Sequence, residues 1–198
     1  MGTLLILLII VAVVAFWAVG IYNGLVRARN AFRNAFAQID VQLQRRFDLI
    51  PNLVETAKAY LSHERGTLEA VTSARSAAQA GLAAAKASPG DPAAMAELGR
   101  SEAALEGALG RLLVTVEAYP ELKASQNMMQ LTEELSSTEN KVAFARQAYN
   151  DSVMAYNNKR EVFPASLVAN NFAFKPAALL EIPADQQAAV RAAPKVQF

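Results

Sequence analysis

Apolar and polar positions along this chain fall into two regimes. From Leu4 to Tyr22 there is no alternation: LLILLIIVAVVAFWAVGIY carries no charge and no proline. At ~1.5 Å per residue such a run makes a helix of roughly 28 Å, close to the ~30 Å hydrocarbon thickness of a bilayer. The pattern predicts a transmembrane helix over residues 1–22. Leu4 lies within the apolar run, and Trp17 and Tyr22 form an interfacial belt at its downstream end. A cleaved signal peptide fits less well. Met1-Gly2-Thr3 has no Lys or Arg, the run is longer than a usual h-region, and no A-x-A site precedes a polar start. An uncleaved, single-pass anchor is expected.

The second regime begins at Phe32. Phe32, Phe36, Ile39, Leu43, Phe47 and Ile50 recur at a 4-3 spacing, the one-sided seam of a packed helix. Pro51 lacks an N–H and disfavours helical angles at Ile50. The stripe then resumes at Leu53, Val54, Ala57, Tyr60, Leu61, Leu68 and Val71. Both a kink and a sharp turn capped by Asp48 are compatible with this pattern. Residues 74–87 are alanine-rich and lead into the clearest loop, Ser88-Pro89-Gly90-Asp91-Pro92. There Asp91 reads as an N-cap, with Pro92 at the first helical position.

The helix that follows carries Met95, Leu98, Leu105, Leu109, Leu112 and Val116 on one face, with Glu102 at a seam position among them. It ends at Tyr119-Pro120. Another helix is predicted from about Lys123 to Val162, with Met128, Leu131, Leu135, Val142, Ala145, Tyr149, Val153 and Tyr156 on its inner stripe. Pro164 stops it. No useful β alternation appears. Short connections make successive helices antiparallel neighbours. The fold class is therefore all-α: an N-terminal transmembrane helix followed by an antiparallel up-and-down bundle of three to four long helices, over 23–162. Residues 163–183 read as an amphipathic docking segment whose Phe163, Phe172 and Phe174 need cover. The bundle end, the membrane surface and a neighbouring subunit are the candidates. Residues 184–198, rich in Ala, Gln and Pro, are expected to be a flexible tail.

Composition narrows the function classes. The 198 residues carry a net charge of +1 and no cysteine. This argues against general nucleic-acid binding and removes disulfides, thiolate metal sites and cysteine nucleophiles. The charge beside the anchor is all downstream, at Arg27, Arg29 and Arg33. By the positive-inside bias that places the bundle in the cytoplasm. His63-Glu64 would need a second histidine at Thr67 to make a zinc helix, and the chain has one histidine in all. Glu117, Glu121, Glu133, Glu134, Glu139 and Asp151 are spread over helix surfaces rather than aimed at one cleft. No phosphate loop or nucleophile elbow is present.

Two constellations stand out. Arg45, Arg46, Asp48 and Asn52 surround the proline, where backbone groups lose helical partners. They read as caps and ion-pair partners for the break, or as a polar partner groove. Tyr-Asn occurs at 22–23, 149–150 and 156–157, the last two one heptad apart, and reads as core specification.

The run Ile39-Asp40-Val41-Gln42-Leu43-Gln44-Arg45-Arg46-Phe47-Asp48-Leu49-Ile50-Pro51-Asn52-Leu53-Val54-Glu55-Thr56 strongly resembles the signature of the LemA family. Tyr22-Asn23 with Arg29-Asn30, His63-Glu64, Ala74-Arg75, Ala118-Tyr119-Pro120, Glu139-Asn140, Ala145-Arg146 and Tyr149-Asn150, and Phe163-Pro164 ahead of Phe172-x-Phe174-Lys175 extend the likeness across residues 22–175. The resemblance implies a single-pass protein of the bacterial inner membrane with an antiparallel four-helix domain, and hence a turn rather than a kink at Pro51. Ala173 stands where related sequences often carry glycine. The family brings no accepted reaction.

Together these readings give a non-enzymatic scaffold without cofactor or metal. Its partners are expected to be the lipid bilayer and copies of itself in a homo-oligomer, with no nucleic acid. Small-residue faces (Ala74, Ala77, Ala78, Ala85 and Ala103, Ala104, Gly107, Ala108) would let helices approach closely. The alternative is an adaptor for a heterologous membrane or envelope-stress protein.

Overall fold

The 4-3 stripe of α1 (Gly2–Lys58) is buried at Phe32, Phe36, Ile39, Leu43, Phe47, Ile50, Leu53 and Ala57, and it forms one wall of the core. The structure, a computed structural model, describes residues 1–61 and 63–181. After α1 come α2 (Arg65–Ala87), α3 (Pro92–Glu117), a single turn α4 (Pro120–Lys123), α5 (Gln126–Glu161) and the short α6 (Ala165–Asn171). No strand occurs among the described residues. The expected tail 184–198, and the last two residues of the docking segment, lie outside them.

The helices pack as an up-and-down bundle. Phe32 meets Tyr156, and Phe36 meets Tyr149 further along, so α1 and α5 run antiparallel. Arg75 reaches Phe47 while Lys86 pairs with Asp40, so α1 and α2 do too. Met95, Leu98, Leu105, Leu109, Leu112 and Val116 of α3 are all buried, as the spacing predicts. Asp91 caps α3 as expected: its Oδ1 accepts from the N–H groups of Ala93 and Ala94, both at 3.0 Å, with Pro92 opening the helix. The small-residue stripe has an intramolecular use. Ala78, Gly81 and Ala85 of α2 are buried, and a Cβ at Gly81 would stand 2.6 Å from the Ser101 hydroxyl of α3.

Pro51 neither turns the chain nor ends the helix. α1 continues through it for 57 residues in all, about 85 Å at the helical rise. The chain reverses instead between Lys58 and Arg65, where no proline marks the site. The physical reason lies four residues upstream. Pro51 cannot donate to the Phe47 carbonyl and its ring crowds that oxygen, at a cost of ~3 kcal/mol in a helix interior. Arg75 of α2 donates its Nε–H to that same carbonyl at 2.7 Å. A hydrogen bond from a charged donor is worth about 1.5–3 kcal/mol, enough to offset most of that cost. The unbroken stripe on both sides of Pro51 supplies the rest by keeping Leu53 and Ala57 in the core.

The apolar run at the start of α1 is different in kind. Its most apolar 18-residue window has a mean hydropathy of 3.2, and none of it is buried in the fold. Leu4 and Trp17 stand exposed, and Tyr22, where the run ends, is half-buried against the bundle.

Arg75→Ala should lower unfolding stability by about 1–3 kcal/mol. In Pro51→Ala the restored N–H takes over the Phe47 carbonyl, so Arg75→Ala in that background should cost markedly less. Denaturant unfolding of the four proteins in detergent measures the coupling; equal costs in both backgrounds would refute the account.

Candidate functional site

Two polar arrangements interrupt the apolar seam. The first is a buried charge layer. Heptad continuation from Ile39 and Leu43 puts Arg46 at the next inward position of α1, and it is 4% exposed. Its guanidinium forms an ion pair with Glu102, the glutamate that interrupts the apolar face of α3. Glu139 and Arg146 of α5 and Glu106 of α3 complete the cluster around a cavity of about 150 Å³. Leu180 and Glu181 border it too. Arg46 Nε and Glu102 Oε1 are buried without a protein hydrogen-bond partner. Burial lowers the pKa of Arg46, while the carboxylates of Glu139 and Glu106 support its charge. The Glu139 carboxyl is pushed up by burial and by Glu106, against the pull of Arg46. The layer ties α1, α3 and α5 together through charge. Among the described residues no group of three His, Cys, Asp or Glu side chains is placed to hold a metal.

The second arrangement is a clamp made from the repeated Tyr-Asn pairs. After α6 the chain runs extended along the bundle, with Phe174, Ala177 and Leu180 buried. Asn157 grips Ala177 by both backbone groups: its Nδ2 donates to the carbonyl at 2.8 Å, and its Oδ1 accepts from the N–H at 3.0 Å. Asn150 holds Leu180 in the same way, at 3.2 and 2.9 Å. Tyr156 donates to the Lys175 carbonyl at 2.7 Å and Tyr149 to that of Ala178 at 2.8 Å. Arg160 Nε adds a bond to the Phe174 carbonyl at 2.9 Å. Burial raises the pKa of both phenols, so they remain donors throughout the physiological range.

The spacing has a geometric cause. Seven helical residues advance about 10.5 Å, and three extended residues about 10 Å. Asn150 and Asn157 therefore meet Leu180 and Ala177 in step. The Tyr-Asn heptad is visible in the sequence, but its backbone partners were not, because a side-chain grip on peptide groups leaves no trace in the residues gripped.

Of the other residues singled out in the sequence, Arg45, Asp48 and Asn52 stand on the exposed side of α1, apart from Arg46. The donor to the Phe47 carbonyl that Pro51 leaves unpaired comes from Arg75 instead. Phe174 is buried, its ring 5.4 Å from Tyr22 with the Arg29 guanidinium 5.1 Å over its face. Phe163 and Phe172 remain exposed. Ala173, between them and the strap, takes φ 53°, the left-handed region that favours glycine.

Asn157→Ala should release one rung of the clamp. Amide hydrogen exchange at Ala177 should accelerate while Leu180, held by Asn150, keeps its protection; stability should drop by about 1–3 kcal/mol for two lost bonds. Glu139 gives a pH prediction. A folded pKa above the unfolded one contributes stability at low pH that is lost as pH rises through the folded value. Glu139→Gln should therefore raise the melting temperature at neutral pH. The gain should close as pH falls toward the ordinary 4.5 of a glutamate. A gain that grows on acidification would contradict the burial account.

Compared with known families, the chain matches the LemA family over residues 35–198. It is also similar to Protein LemA of Metamycoplasma hominis, 28% identical over 166 residues that cover 84% of this chain and 71% of that protein. The matched region takes in α2, α3, α5, the charge layer and the clamp, together with most of the helical stripe of α1, and on that extent the chain belongs to the LemA family.

Proposed function

We propose that this protein is a membrane-anchored, non-enzymatic helical scaffold that self-associates at the bilayer surface. The observation that carries the reading is the start of α1. A stretch with the length and hydropathy of a membrane span is left wholly uncovered by the fold, yet it is helically continuous with the bundle core. Burying it in lipid removes from water a surface worth roughly 25 cal/mol per Å². With no flexible linker between span and bundle, the anchor would fix the bundle's height and tilt. Confinement to a membrane raises the effective concentration of copies for one another.

Exposed apolar side chains on the bundle itself favour self-association as the use of that confinement. Phe144 of α5 is 74% exposed and Val114 of α3 is 73% exposed. Val41 of α1, also exposed, lies at the level of Phe144 in the antiparallel register set by Phe36 with Tyr149. The charge bias of Arg27, Arg29 and Arg33 supports a bundle on the cytoplasmic side of a bacterial inner membrane. An adaptor for a heterologous membrane protein would instead use the exposed Arg45, Asp48 and Asn52.

The intact protein extracted in mild detergent should run as a discrete multiple of the protomer mass in light scattering. Phe144→Glu should shift it toward the protomer with helicity unchanged. A monomer at every concentration would rule out the oligomeric scaffold.

A further inference from the structure

One end of the bundle leaves three large apolar side chains in the open. Phe163 before α6, Leu167 on it and Phe172 at its C-terminal cap are exposed, while Ala165 and Ala169 on the same helix are buried against the body. At 3.6 residues per turn Leu167 lies on the face opposite Ala165 and Ala169. α6 is thus a short amphipathic element, with its outward face uncovered. A helix of this length is marginal alone and owes its form to what it packs on.

The position of this face relative to the anchor is fixed. The Phe172 ring packs edge-on against Tyr22, with centroids 5.0 Å apart. Tyr22 closes the apolar run of α1, so Phe172 stands at the level where that run would leave the hydrocarbon. The headgroup layer extends about 5–8 Å beyond the hydrocarbon on each side, so the Phe172 ring borders it directly.

The surrounding charge is predominantly positive. Arg27 on α1, Lys159 near the end of α5 and Lys175 at the start of the strap are exposed, with Lys159 lying over Gly24. Between residues 155 and 175 the single acid is Glu161, which pairs with Arg160 at 3.2 Å. A second protein chain covering the patch would have to desolvate or neutralise these cations. An anionic leaflet supplies the counter-charge, worth about 1 kcal/mol per Lys or Arg near its surface.

We propose that α6 is a second membrane contact: Phe163, Leu167 and Phe172 enter the interfacial layer of an anionic leaflet, and Arg27, Lys159 and Lys175 pair with its phosphates. The proposal rests on the anchoring read above. The bundle then has two points of attachment, the span and α6, which fix its rotation about α1 as well as its height.

The chain has no native cysteine, so single nitroxide labels can be placed without background. The full-length protein is reconstituted at low density into vesicles of phosphatidylcholine with or without phosphatidylglycerol. Labels at Leu8→Cys, Leu167→Cys and Glu121→Cys report the anchor, the α6 face and an exposed reference. Collision with oxygen against a water-soluble nickel chelate gives the depth of each. In anionic vesicles the label at 167 should be shielded from nickel and open to oxygen, as at 8 and unlike 121. Lys159→Glu with Lys175→Glu should abolish the difference between the two lipid compositions at 167. A label at 167 as open to nickel as 121, with 8 still in lipid, overturns the proposal and leaves the anchor standing. Water access at 8 overturns both. Shielding at 167 from both reagents, with spin–spin broadening that grows with protein density, assigns the face to a second copy and equally overturns it.

Discussion

One hydrogen bond offsets most of what Pro51 costs the long first helix. Without the Arg75 guanidinium on the Phe47 carbonyl, Pro51 would leave that acceptor unpaired beside a clashing ring, and only the apolar stripe on both sides would hold α1 through the proline. With it, the helix carrying the apolar run also carries the main wall of the core. That continuity bears on function. A span joined through a flexible segment would pass no orientation to the bundle, whereas a single helix passes both tilt and rotation.

The same economy appears at the other end of the chain. The strap from Phe174 to Leu180 buries large side chains at its two ends, while Ala177 and Ala178 between them are small. Its peptide groups are held by Tyr149, Asn150, Tyr156, Asn157 and Arg160. Those bonds satisfy strap backbone that would otherwise be buried unpaired. They also explain a close approach on α3: a Cβ at Gly99 would stand 2.4 Å from the Glu181 carbonyl oxygen, so only glycine lets the strap end lie there.

The helices, their inward stripes and the Asp91 cap were legible because each is set by local spacing or a local hydrogen bond. Most seam positions that the spacing named on α1, α3 and α5 are buried, but Leu131, Val142 and Ala145 of α5 are only half-buried. Thr138 takes an inward place the pattern did not name, and Tyr60, expected on the stripe after Pro51, is exposed. What the residues did not disclose was every feature made by a side chain reaching backbone far along the chain. Arg75 lies 28 positions from Phe47, and Asn150 lies 30 from Leu180. Such contacts carry no periodicity. The Pro51 turn is the clearest case: local rules favour a break, and a tertiary donor overrules them. Arg46 was recoverable in principle, since continuing the heptad through Ile39 and Leu43 puts it on the seam. Its pairing with Glu102 follows once two opposite charges are seen to interrupt two apolar stripes.

That pairing answers a question the apolar seam leaves open. A 4-3 stripe packs nearly as well after a slide of one heptad, because aliphatic residues replace one another. Sliding α1 by seven residues in either direction would put Ile39 or Leu53 where Arg46 now meets Glu102. It would leave a carboxylate buried against hydrocarbon and a guanidinium in a foreign layer. Removing one partner of a buried pair typically costs about 3–5 kcal/mol, far more than the pair itself contributes to stability. The charge layer is therefore better understood as a register device than as a source of stability. It makes one axial alignment of α1 in the bundle much better than its neighbours. If the apolar start of α1 lies in a bilayer, as proposed, axial alignment becomes height above the lipid, and Arg46 and Glu102 would set at the core what the anchor delivers at the surface.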